Sequence, residues 1–392
     1  VMALSSNWDR LSRTTQDAFA HLFARPSTQK AVTSPGGRFK IHYDDTGAHA
    51  VSSVDANRNG IPDYVDEVGA TYDSAWDLQI GQLGYSGPLS DGDDLYDVYI
   101  RNLATQQVYG LTYPEGSGNT KSSYMHIDNN YADDVYQTKG LDGLHVTVAH
   151  EFFHAVQFGY YADISGGGWW HELTATWMED VAYDEVNDYH QYARYFFSYP
   201  WESLDSSSPH MFGSAIYAHH LEQVYGRDYI RDSWDVLKTQ APASSSVVRT
   251  IDAVMPMGGF AAVYPRFAVW NYLTGSRSRT GYYDEASDYP LVDSETALPG
   301  PGNSVTDSGR IDHLGASYIR VQTSTFSGGL RCALTLSTSI QWQVLVLLLT
   351  GGQVEVVWAA DPARIEVADV GRYDEVVFVP MHRAPGDDDT VE

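Results

Sequence analysis

A chain of 392 residues, 43% hydrophobic and 13% aromatic, is too long for one ordinary core and rich enough to fill two or three. Its 51 acidic residues outweigh 24 basic ones, only five of them lysine, so no basic stripe offers itself to nucleic acid and bound cations are favoured. The single Cys332 excludes an internal disulfide, and the longest apolar run, Val344 to Leu349, is far short of the ~20 residues that span a bilayer.

Taken in order, Val1-Met2-Ala3-Leu4 lacks the basic and long apolar regions of a signal peptide, which is therefore absent or already removed. Trp8 to Arg25 has the spacing of a helix and stops at Pro26, giving an N-terminal helical segment over 1–37. Phe39 to Tyr43, Leu95 to Ile100 and Tyr124 to Ile127 alternate as strands, with a helical stretch from Tyr64 to Leu83 between the first two. Leu144 to Tyr160 is helical, Gly166 to Gly168 punctuates the chain, a second helix begins near Trp170, and a third runs from Phe212 to Tyr225. The Gly-, Pro-, Ser- and Asp-rich stretch 276–308 predicts a linker or long loop. Short apolar runs within 309–385 (317–321, 331–336, 342–349, 354–358 and 376–380) then predict a β-sandwich. The Asp387-Asp-Asp389 tail reads as solvated.

Two cation motifs stand out. Asp55, Asn57, Asn59, Asp63 and Asp66 offer oxygen at positions 1, 3, 5, 9 and 12 of a Ca²⁺ loop, with the Ile61 carbonyl at 7 and Gly60 at the turning position 6. Aspartate at position 12 reaches less far than the usual glutamate, and Glu67 is an alternative; an Asx-rich turn without metal is the bland reading. The second motif, His150-Glu151-Phe-Phe-His154, places two imidazoles on one helix face, converging on one ion with the Glu beside it. A catalytic zinc takes a third protein ligand, and Glu172 is the candidate, 17 residues intervening after His154, with His171 competing. Glu179, two turns further along, is placed to accept the second ring N–H of a ligand histidine. In that arrangement Glu151 is the general base. His210, just before a helix, is the candidate oxyanion donor, with Tyr217 as its substitute.

His-Glu-x-x-His with a Glu on a downstream helix resembles the gluzincin division of zinc peptidases, to which thermolysin and aminopeptidase N belong. Trp170-His-Glu172-Leu-Thr-Ala-Thr-Trp-Met-Glu179 is similar to the aminopeptidase pattern in which a second Glu follows the Glu ligand by seven residues. Pro209-His210-Met-Phe-Gly213 resembles the segment that carries that family's transition-state Tyr, with His in its place. The chain shows no Gly-x-Met-Glu-Asn exopeptidase signature. Over residues 38 to 235, the combination of the Asp55 loop, His-Glu-Phe-Phe-His-Ala-x-Gln and Trp-Trp-x-Glu-x-Thr-Ala-Thr-Trp-Met-Glu-Asp is similar to secreted bacterial metalloproteases, which implies export and a zincin catalytic domain.

The expectation is an α+β chain with a zincin-like domain over 38–275: a twisted mixed sheet, an active-site helix and a helical lower subdomain. A β-sandwich follows. The expected activity is zinc-dependent cleavage of internal peptide bonds in a protein or peptide substrate, with structural Ca²⁺. An inactive scaffold serving Ca²⁺-dependent adhesion and a zinc hydrolase of non-peptide substrates are the rivals. Oligomeric state is not legible.

Overall fold

Alternation of apolar and polar residues puts one face of each short strand against helices and leaves the other for a second layer. The computed structural model describes residues 24–385 apart from 208, 243–246, 298–303, 305, 307, 324–327 and 337–341. The N-terminal helix expected before Arg25 and the aspartate tail lie outside the described residues. The chain forms two compact units, Val1–Tyr189 with Trp234–Ser244, and His190–Ser233 with Ser245–Glu392. The division at 189/190 falls inside the span that the sequence assigns to one domain.

In the first unit, β1 (Lys30–Thr33), β2 (Phe39–Tyr43), β3 (Tyr96–Arg101), β4 (Gly110–Glu115) and β5 (Ser122–Asp128) form a mixed sheet of order β1-β2-β3-β5-β4. Strands β2, β3 and β5 run parallel, while β1 and β4 are antiparallel edges. Phe39, Ile41, Val98, Ile100, Met125 and Ile127 are fully buried on one face. Against them pack α1 (Asp63–Trp76), which continues as a π-helical turn over Asp77–Gln82, and α2 (Gly140–Phe158). Phe152 of α2 meets Phe39 edge-on at 5.3 Å, and Tyr72 of α1 lies 5.0 Å from the same ring. Each such burial contributes about 1.5–3 kcal/mol and fixes the height of α2 above the sheet. Tyr99, Tyr113 and Tyr124 cluster on the opposite face.

The next helix, α3 (Ile164–Ala182), starts before Trp170 and runs through Gly166 to Gly168, where the sequence predicts a break. Asp163 explains the earlier start: its side chain accepts the Ser165 N–H at 3.0 Å and caps the helix.

The second unit contains α4 (His190–Ser198), α5 (His210–Gly213) and α6 (Ala215–Tyr225), with α8 (Val247–Asp252) and α9 (Phe260–Tyr272); α7 (Asp228–Gln240) counts with the first unit from Trp234 onward. Its sheet holds β6 (Glu295–Ala297), β7 (Gly315–Ala316), β8 (Ile319–Gln322), β10 (Trp342–Thr350), β11 (Gln353–Trp358) and β13 (Glu375–His382). The order is β11-β10-β13-β8-β6, with β7 also paired to β13. A separate two-stranded ribbon joins β9 (Leu330–Cys332) to β12 (Ile365–Val367). Ile365 and Val367 of the ribbon pack with Val344, Val346, Val376 and Phe378. Strand β10 is buried on both faces, which is why it reads as an unbroken apolar run.

The first part of the stretch read as a linker or long loop packs against its own unit. Tyr283, Ala286, Tyr289 and Val292 are buried, the Tyr283 hydroxyl donates to Asn271 Oδ1 at 2.8 Å, and Glu295–Ala297 joins the sheet. Among the described residues no helix is long and apolar enough to cross a membrane.

Candidate metal centre

Helices α2 and α3 bring together three residues that the sequence separates. His150 and His154, one turn apart, stand with ring centroids 4.7 Å apart and planes at 86°. From α3, Glu172 Oε2 lies 3.2 Å from His150 Nε2 and 3.4 Å from His154 Nε2. One ligand atom from each residue lies within 4.8 Å of the others. His154 and Glu172 are buried, while 13% of the His150 side chain stays exposed.

The other ring nitrogens are held by acceptors. His150 Nδ1 lies 2.7 Å from Glu179 Oε1, and His154 Nδ1 lies 2.7 Å from Gln157 Oε1. Gln157 is fixed in turn, because its amide N–H₂ donates to the His171 carbonyl and to Thr174 Oγ1, both at 3.0 Å. That network orients its oxygen toward His154 and so puts the His154 N–H on Nδ1. The Nε2 lone pair of His154 is then buried with no hydrogen-bond partner among the described residues. A buried acceptor without a donor costs about 1–3 kcal/mol, and a metal ion is the partner that suits an imidazole lone pair facing a carboxylate.

Burial opposes ionisation of Glu172, but the two neighbouring histidines, His154 first and then His150, outweigh it and hold its pKa below the ordinary carboxylate range. Burial likewise opposes protonation of His150, yet hydrogen bonds to Glu172 and Glu179 prevail and raise it well above 6.5. Glu179 is pushed up to about 8 by burial, against the pull of His150.

His171, the competing ligand, turns away. Its Nδ1 lies 2.9 Å from the Gly167 carbonyl and its Nε2 2.8 Å from that of Tyr161, with the ring packed on Trp234 at 4.8 Å. Burial lowers its pKa to about 4.

Glu151 faces the edge strand β4. Thr112 Oγ1 lies 2.6 Å from Glu151 Oε2 and 2.9 Å from the Glu151 carbonyl, which sets the direction of the carboxylate. The close approach requires Gly110: a Cβ there would lie 2.6 Å from Glu151 Cγ and 2.8 Å from Thr147 Cγ2. Sequence reasoning missed Thr112, Gly110 and Gln157. Only Gln157 left a local signal, three residues after His154 on the same helix.

His210 and Tyr217 belong to the second unit. His210 is buried, its Nδ1 3.3 Å from the Tyr195 carbonyl and 3.9 Å from Glu202 Oε2, with burial lowering its pKa to about 4. Tyr217 is a core residue, stacked on Phe260 at 5.6 Å with its hydroxyl 3.8 Å from Met255 Sδ.

The acidic loop before α1 closes on itself. Asp55 accepts the N–H groups of Asn59 at 3.1 Å and Gly60 at 3.0 Å, and Asp63 accepts that of Ala56 at 2.9 Å. The Asn57 and Asn59 amides both donate to Asp66 Oδ2, at 2.9 and 2.8 Å. The Ile61 N–H donates to Asn59 Oδ1 at 2.8 Å, and Gly60 takes φ +87° at the turn. Positions 3, 5 and 12 therefore meet at Asp66, whereas Glu67, the alternative to it, faces His145 at 3.2 Å.

No protein-family model matches the chain, and no curated protein matches it.

Proposed function

We propose that the protein is a zinc-dependent peptidase: a zincin-like catalytic unit accompanied by a β-sandwich, exported from the cell and cutting protein or peptide substrates at internal bonds. The observation that carries this reading is the convergence of His150, His154 and Glu172 with Glu151 set beside them on the same helix. These three residues would hold the zinc, which supplies Lewis acidity toward a carbonyl and acidifies a water. The protein's own groups do the rest. Glu151, aimed by Thr112, takes the proton of the attacking water and passes it to the leaving amine. Glu179 and Gln157 fix the two imidazoles so that both present Nε2. Strand β4 is a sheet edge beside Glu151, so an extended substrate can pair along it and run past at both ends, which favours internal cleavage. The Asp55 to Asp66 loop would take Ca²⁺ in a structural role, ordering the entry to α1.

Zinc content and casein cleavage, measured on the native chain and on Glu151→Gln, test the reading. One zinc per chain in both, with cleavage slowed about 10²–10⁴-fold in the variant, is the expected result. A native chain that holds one zinc yet cleaves no peptide pool overturns the peptidase reading.

A further inference from the structure

The second unit has an open groove of about 460 Å³ between α9, the loop at Tyr282 and strand β11. Arg266, Trp270, Tyr225 and Tyr282 line one side, Val356 and Trp358 the other. The Arg266 guanidinium stands 5.7 Å from the Trp270 ring centre and 5.9 Å from that of Tyr225. Among the described residues no carboxylate pairs with it, although the chain carries 51 acidic residues to 24 basic. A guanidinium held on aromatic faces and left without an anion is a recognition point for a carboxylate brought from outside.

Strand β11 is the edge of its sheet. The β10–β11 hairpin turns through Gly351 at φ +54° and Gly352 at φ +86°, the two-residue turn that makes Thr350 and Gln353 a hydrogen-bonded pair. Alternation from that pair directs the backbone N–H and C=O groups of Val354, Val356 and Trp358 outward. The Ala359 N–H bond to the Val344 carbonyl at 3.0 Å keeps the same alternation. These outward residues also point their side chains to one face, where Val356 and Trp358 reach the groove. Val356, Val357 and Trp358 are 37%, 39% and 54% exposed, so apart from Glu355 the edge is apolar; among the described residues it is unpaired, and it carries neither the lysine nor the proline that blunts such an edge.

We propose that β11 and this groove bind an extended peptide segment. The segment adds a strand outside β11, lays alternate apolar side chains beside Val356 and Trp358, and brings a carboxylate to Arg266. A second copy of the chain is a poorer occupant, because both partners would carry a formal charge of -27. The inference does not rest on the peptidase reading, since it concerns binding alone.

The test uses the full chain carrying Glu151→Gln, so that no cleavage intervenes, and a fluorescein-labelled decapeptide alternating phenylalanine or valine with threonine and ending in a free carboxylate. Anisotropy titrations should show binding weakened about tenfold by Trp358→Ala and by Val356→Pro, which removes one outward N–H at an edge position that tolerates proline. Arg266→Gln should weaken the free-acid peptide about tenfold and leave its C-terminal amide unchanged. Should Val356→Pro lower the melting temperature, peptides N-methylated on alternate residues carry the test on the unaltered strand: one register should lose binding and the other keep it. Equal affinity for all variants and both registers, or no binding at all, overturns the proposal. So does a concentration-dependent dimer in sedimentation velocity that Val356→Pro dissociates, which would make a second copy the occupant.

Discussion

The cluster on α2 and α3 and the loop before α1 are both cation candidates, and they solve the problem of their polar groups in opposite ways. In the loop, the oxygens of Asp55, Asn59, Asp63 and Asp66 accept N–H groups of the loop itself, and the segment is solvent-exposed. In the cluster, the outer ring nitrogens are held by Glu179 and Gln157, while at the point of convergence the His154 Nε2 lone pair has no donor among the described residues. The buried site converges on a lone pair without a donor, whereas the loop closes on its own N–H groups. An ion should therefore be indispensable to the first and only stabilising to the second.

The contrast can be broken at several points. Removing a ligand has the largest expected effect: Glu172→Ala should weaken zinc binding at least about a hundredfold in a competition titration against a chromogenic chelator. Full affinity in that variant would remove Glu172 from the ligand set. Glu179→Ala, which leaves all three ligand atoms in place, should cost about 10–100-fold in affinity or turnover by freeing the His150 ring.

Acid should destabilise the protein through its buried histidines. Burial holds His126 and His220 at about 3 and His171, His210 and His219 at about 4, against an ordinary 6.5. Because these folded-state values are depressed, the unfolded chain binds more protons as the pH falls. The stability is intact above about pH 6.5 and is lost from there downward, by about 1.4 kcal/mol per pH unit for each group. Urea midpoints taken between pH 7 and 4.5 should fall steadily; a flat profile across that window contradicts these depressed values. Smallest of all, Ca²⁺ should raise the melting temperature by a few degrees in the native chain and not in Asp66→Asn. An equal shift in both would detach the effect from this loop.

What the sequence made legible was the part of the site written at helical spacing. His150, Glu151 and His154 share one face of α2, and Glu172 and Glu179 share one face of α3 two turns apart, so their relations follow from 3.6 residues per turn. Thr112 and Gly110 reach Glu151 across 39 and 41 positions of chain, through a sheet edge that no local pattern announces. Long-range packing also overrode local composition elsewhere. The glycines at 166 to 168 entered a helix under the Asp163 cap. Helix α9 formed despite Pro265, and the Gly/Ser-rich segment after residue 276 buried Tyr283 and Tyr289 against the second unit's core.

Two imidazoles and one carboxylate are expected to hold the metal. X-ray absorption at the zinc edge, on the chain loaded with one equivalent, tests it most directly. The expected result is a four- or five-coordinate shell of nitrogen and oxygen at about 2.0–2.1 Å with scattering from two imidazoles, and loss of one light ligand in Glu172→Ala. A third imidazole, a sulfur ligand, or a shell that Glu172→Ala leaves unchanged would contradict it.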